Sequence, residues 1–218
     1  VGGQAQVVEC HRASVQAQVS CGTPGVHWLW IGDGANHMDV PAVTRKDIAD
    51  AANRAGLAGR PLCVHSSLSS FGWVDGGPSA VIDGLLDQGC TVVVPTFSSK
   101  YAVPPPEDDR PARNGWEYDA FEGSKAGLTG VYSSGGDEID KADMGAIPAA
   151  VVVREGRVRG NHPICSFTAV GPGAAELIEG QTPVDVFAPL RSLSLVDGFF
   201  VLGGVGLTRL AALHLAEQ

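Results

Sequence analysis

No apolar run in this chain approaches the ~20 residues that a membrane-crossing helix needs, so no span is expected. The N-terminus also lacks the basic-then-apolar order of a secretion signal. Positive charge is scarce: 15 Lys and Arg stand against 24 Asp and Glu, a formal net charge of −9. That balance argues against nucleic acid as the partner, and it suits a cationic small substrate drawn to an acidic cleft. The five cysteines (Cys10, Cys21, Cys63, Cys90, Cys165) are odd in number, widely spaced and form no CxxC. Free thiols in a reducing compartment follow, and the cytoplasm is the expected location. No His/Cys/Asp spacing reads as a metal site. The chain has no GxGxxG fingerprint, no P-loop Gly-Lys-Ser/Thr, and no GxSxG elbow for a serine hydrolase.

What is present fits one globular domain of 218 residues, with 44% hydrophobic and 18% charged residues. With 29 glycines and 14 prolines, turns take a large share. The most informative stretch runs from Val64 to Pro78. An apolar strand at 62–64 enters four serines in five positions (Ser66, Ser67, Ser69, Ser70), then a glycine-rich bend, then a helix opening near Pro78. Proline suits a first helical turn because its missing N–H would be unpaired there anyway. Free N–H groups, small side chains and a helix start are the ingredients of a phosphate cradle. They are equally those of a plain strand–turn–helix corner.

Residues 1–37 show no lasting period and read as a weakly ordered extension. A helix is expected over 42–56, with Thr44 as N-cap and Asp47 three residues on, as in a capping box. The strand at 62–65, a helix over 78–88 and a β-branched strand at 91–94 then follow in the order of a parallel crossover. That order brings Ser66–Phe71 and Thr96–Ser99 together at the carboxyl edge of a sheet, where open α/β sheets bind ligands. The polar segment 100–143 reads as a lid, a binding loop or a solvated insertion. Short helices are expected at 144–154, 173–178 and 189–195, strands at 165–171 and 198–206, and a last helix over 207–217. His65 reads as a packed strand-end residue.

Four segments together resemble the antibiotic N-acetyltransferase family, the acetyl-CoA-dependent aminoglycoside 3-N-acetyltransferases that lack the GNAT fold. They are VHSSLSSFGWVDGG (64–77), VVVPTFS (92–98), MGAIP with NHPICSFTAVGP (144–148, 161–172), and LGGVGLTRLAALHLAE (202–217), in the family's order across residues 38–218. The resemblance implies an α/β fold: a mixed, largely parallel central sheet flanked by helices. It implies acetyl transfer from acetyl-CoA to the 3-amino group of 2-deoxystreptamine aminoglycosides, and so antibiotic resistance. It places the coenzyme on Ser66, Ser67, Leu68, Ser69, Phe71, Gly72 and Ser98. His214 of the H-L-x-E motif becomes the general base and Thr96 the oxyanion donor. Glu217, three residues beyond His214, would orient its ring. Asp108, Asp109, Glu117 and Asp119 are candidates for substrate ammonium groups, and His162 is structural or substrate-lining. The expected partners are acetyl-CoA as co-substrate and the antibiotic, with no metal, nucleic acid or membrane. A homodimer stands open beside a monomer.

Two departures accompany the resemblance. Relatives carry a polar Asn-Thr pair where Leu210-Ala211 stand, and they continue past Gln218 with a tail expected to hold an acidic partner for the histidine. Two other readings therefore stand beside the first: a same-fold acyltransferase on another amine metabolite, and a truncated, inactive fragment that binds coenzyme A.

Overall fold

The computed structural model describes residues 6–11, 16–17, 41–102, 106–110 and 130–216. Among them one mixed sheet has the order β2-β1-β7-β3-β4-β6-β5. Its strands are β1 (Gln6–His11), β2 (Gln16–Ala17), β3 (Pro61–Ser66), β4 (Thr91–Pro95), β5 (Val158–Arg159), β6 (Phe167–Val170) and β7 (Phe199–Gly203). The parallel ladders gather at the centre, where β7 pairs with both β1 and β3, and β3 with β4. Antiparallel pairs close the two flanks: β2 on β1, and β6 and β5 beyond β4.

The central strands read as unbroken apolar runs because both sheet faces are covered. Along β3, Leu62 and Val64 enter one core cluster while Cys63 enters the other. Helices α1 (Arg45–Arg54), α2 (Gly77–Leu86) and α4 (Ala146–Val151) cover the first face through Ile48, Ile82 and Ile147. Helices α5 (Ala174–Ile178) and α6 (Ala188–Leu195) cover the second through Leu177 and Leu190. The short α3 (Lys141–Met144) leads into α4, and α7 (Ala212–Ala216) closes the described chain.

Local chemistry sets the helix starts. Thr44 caps α1 in a complete capping box: its N–H donates to Asp47 Oδ2 at 2.9 Å, and its hydroxyl accepts from the Asp47 N–H at 3.3 Å. Hydrogen bonds from Thr44 hold the Asp47 carboxyl below its ordinary range. In α2 the proline sits in the first turn, as the sequence indicated.

Residues 1–37, expected to be weakly ordered, contain β1, which runs in register with β7 from Gln6↔Phe199 to Glu9↔Leu202. A strand with no period of its own takes its place from the open ladder beside it, since strand formation depends on neighbours more than on intrinsic preference. Among the described residues no helix is long and apolar enough to cross a membrane.

Candidate active site

Parallel strands β3, β4 and β7 end at one edge, and a cavity of about 560 Å³ opens there. Its floor is the strand end and serine turn, Val64 to Ser69. One wall is Pro95 and Phe97 after β4, another is Ala142 to Ala146 with Pro148, and the last is Val205 with Thr208 to Ala211. Ser66, Ser67, Leu68 and Ser69, expected to cradle the coenzyme, thus meet in one cavity. Leu210 and Ala211, the departure from the family pattern, form part of its wall and are buried.

The turn is anchored to β7. The Ser67 N–H donates to the Gly203 carbonyl at 2.9 Å, and the Ser70 hydroxyl to the Gly204 carbonyl at 3.1 Å. Gly203 has to be glycine: a Cβ there would lie 2.9 Å from Phe71 Cζ and 3.1 Å from Ser66 Cβ. The Ser67 and Ser69 hydroxyls pair with each other at 2.9 Å. Ser66 Oγ is the single buried side-chain polar atom without a partner among the described residues. A buried hydroxyl left unpaired costs about 1–3 kcal/mol, so a ligand that reached this one would gain by pairing with it.

His65 also lines the cavity and is 6% exposed. Burial pushes its pKa down from 6.5 to about 4, so the ring is neutral at pH 7. Below pH 6.5 the unfolded chain takes up a proton that the folded one refuses, so stability falls as pH drops toward 4. The slope is about 1.4 kcal/mol per pH unit for one such residue. Urea unfolding at pH 7.5, 5.5 and 4.5 should show this loss, and a His65→Gln variant should show a shallower one. His162 is shifted the same way by burial and adds to the slope.

The other expected residues are placed elsewhere. Thr96, expected as oxyanion donor, is fully buried and does not line the cavity, although its neighbours Pro95 and Phe97 do. Alternation along an extended segment points it the other way. Its one hydroxyl proton goes to the Ser166 carbonyl at 3.0 Å, and Thr168 Oγ1 lies 2.8 Å from its oxygen. His162 also stands outside this cavity: its Nδ1 accepts the N–H groups of Ile164 (3.2 Å) and Cys165 (2.9 Å). Phe71 is packed in the core, Gly72 ends the serine turn at φ 78°, and Ser98 is buried with its N–H on the Ile164 carbonyl. None of the three lines the cavity, and neither does the start of α2. Asp108 is exposed on a turn away from it. Glu117, Asp119 and Glu217 lie outside the described residues, as do the side chains of Asp109 and His214. The backbone of His214 is in α7, three residues past the cavity-lining Ala211.

The wall at Ala142–Ala146 was not expected as part of the site. Gly145 turns the chain between α3 and α4 at φ 86°, in the region that favours glycine, and this lays residues 144–146 against the serine turn. The MGAIP motif was the available signal. Arg159 was missed altogether. This buried guanidinium donates to the carbonyls of Gly136 (3.0 Å), Glu138 (2.8 Å) and Thr96 (3.1 Å) and to Ser166 Oγ (3.0 Å), and it lies over the Tyr132 ring. It ties the segment leading into α3 to the β4–β6 pair.

An open α/β sheet with a cavity at its carboxyl edge is a fold that binds ligands at that edge. The model of the family described as aminoglycoside 3-N-acetyltransferase matches residues 63–218, and the chain belongs to that family. It is 32% identical over 180 residues to aminoglycoside N(3)-acetyltransferase VIII of Streptomyces fradiae, covering 80% of this chain and 60% of that protein. It is 30% identical over 182 residues to the SPbeta prophage-derived aminoglycoside N(3')-acetyltransferase-like protein YokD of Bacillus subtilis, covering 80% and 64%. Among solved structures, aminoglycoside acetyltransferase AAC(3)-Xa superposes with a TM-score of 0.63 at 30% identity, covering 79% of this chain and 60% of that one. The chain thus spans about three-fifths of the length of these relatives.

Proposed function

We propose that this chain transfers an acetyl group from acetyl-CoA to the 3-amino group of a 2-deoxystreptamine aminoglycoside. The observation that carries the reading is the cavity floor: a serine turn at the carboxyl edge of the sheet, with the Ser66 hydroxyl buried and unpartnered. AAC-IIIb, which shares the fold, has been solved with CoASH, and AAC(3)-IVa with a gentamicin and with apramycin. On this reading the coenzyme lies on Ser66–Ser69, and the apolar wall of Leu210 and Ala211 accepts part of its pantetheine arm.

His214 is the proposed base. At pH 7 an alkylamine is mostly protonated and unreactive. The amine gives its ammonium proton to solvent and attacks the thioester carbonyl; the ring takes the second N–H proton as the C–N bond forms and passes it to the sulfur as the C–S bond breaks, so coenzyme A leaves as the thiol. The cytoplasm is the proposed location, where the free thiols of Cys63, Cys90 and Cys165 persist.

Colorimetric release of coenzyme A thiol over a panel of aminoglycosides tests this. Release with those bearing a free 3-amino group supports the reading. Binding of coenzyme A by calorimetry with no release on any amine would point instead to a fragment that only binds. One observation favours another acceptor: Arg209 stands on the cavity wall, where the single described carboxylate is that of Asp143. A polycation would have to avoid that guanidinium. Release only with amines that also carry an anionic group would establish this second reading.

A further inference from the structure

We propose that His65 donates a hydrogen bond from Nδ1 to the acyl carbonyl oxygen, taking the oxyanion role that Thr96 does not fill; this rests on the acetyl-transfer reading above. His65 precedes the unpartnered Ser66 in β3 and lines the cavity floor, whereas the Thr96 proton is spent on the Ser166 carbonyl. The Ser67 and Ser69 hydroxyls share one hydrogen bond, which spends one of their two protons.

The tautomer turns on Cys63, two residues earlier on the same face, whose Sγ lies 3.6 Å from His65 Nε2. Burial pushes the thiol pKa up, so the sulfur keeps its proton. The thiol is a weak donor and a weak acceptor, and we take the tautomer in which it donates to the Nε2 lone pair beside it. A neutral imidazole carries a single N–H, which is then on Nδ1. Among the described residues that nitrogen has no hydrogen-bond partner, and since Ser66 Oγ is the one fully enclosed atom in that state, Nδ1 keeps some open surface; His65 is among the residues that line the cavity.

The placement also suits the proposed base. Cys63 belongs to the core cluster that contains Leu210 and Ala211, so the thiol and ring share the sheet face from which the chain enters α7. A neutral donor is chemically suited to this task, because it stabilises the oxyanion without placing a positive charge beside the approaching amine. It is also too weak a base to compete for the amine proton.

Two measurements on the full chain decide it. Long-range proton–nitrogen spectra with labelled histidine should show the His65 proton on Nδ1; a proton on Nε2 overturns the proposal. Infrared difference spectra of bound acetyl-CoA, labelled with carbon-13 at the carbonyl, should show the stretch at higher frequency in His65→Phe than in the unaltered protein. An unmoved stretch overturns the proposal while leaving the coenzyme reading intact. If the unaltered protein binds no acetyl-CoA, both fall. In turnover, His65→Phe should lose about 10²–10³-fold in kcat with little change in KM for acetyl-CoA. His65→Gln, which retains an N–H, should recover part of that loss, and equal activity in both variants would contradict the donor role.

Discussion

Replacing His214 with alanine is expected to lower acetyl transfer about 10²–10⁴-fold while leaving coenzyme A binding unchanged. The size follows from what a base does here. The acceptor amine reaches the thioester with a proton to lose, and a positioned imidazole removes it as the new bond forms. The location follows from the chain. Thr208 to Ala211 line the cavity and α7 opens directly after them at Ala212, so residue 214 lies in the first turn of that helix, three residues past the wall. Coenzyme contacts are assigned to the serine turn, which the substitution does not touch, so kcat should fall and KM for acetyl-CoA should hold. Thiol release and calorimetry together check this. A variant with turnover within about threefold of the parent would remove His214 from the chemistry.

Arg159→Leu is expected to lower stability by about 1–3 kcal/mol, because it removes the sole donor to one carbonyl and one of two donors from two others. Leucine would leave the Glu138 carbonyl without its donor, while the Gly136 carbonyl keeps Arg157 and the Thr96 carbonyl keeps the Ser166 hydroxyl. Arg159→Lys should not restore the loss, since an ammonium cannot reproduce the planar fork that reaches four acceptors. The effect should extend to the site. The segment that Arg159 holds runs through Asp140, whose N–H donates to the Phe97 carbonyl and whose carboxylate accepts the Ser99 N–H, into the cavity wall at Ala142–Ala146. Urea midpoints for both variants, with coenzyme affinity under folding conditions, check it. An unchanged midpoint for Arg159→Leu would show that water satisfies those carbonyls.

Much of this fold was legible because the signals were local. Thr44 and Asp47 announced the start of α1, the β-branched run announced β4, and the Val64–Pro78 pattern gave β3, its turn and α2. β1 and β5 were not legible. The first has no period and takes its register from β7, and the second is two residues long and exists through β6. The site divides along the same line. The serine turn could be found because chain order and sheet edge agree. Whether Thr96 faces the cavity or the interior depends on side-chain alternation just past β4 and on partners at 166 and 168, which no local pattern reveals. The same holds for Arg159, whose partners lie across three separate segments, and for Gly145, whose turn gains meaning once Ser66–Ser69 are opposite it. His65 was legible as a packed residue, and its opening onto the cavity was not.

The central claim is that the serine turn presents a thioester to the imidazole of His214. A crystal structure of this chain soaked with coenzyme A tests it most directly. The account predicts the coenzyme on Ser66–Ser69, with the Ser66 hydroxyl engaged and the sulfur facing both His214 and His65 across the cavity. Coenzyme bound elsewhere, or a His214 ring separated from its sulfur by packed core, would contradict it.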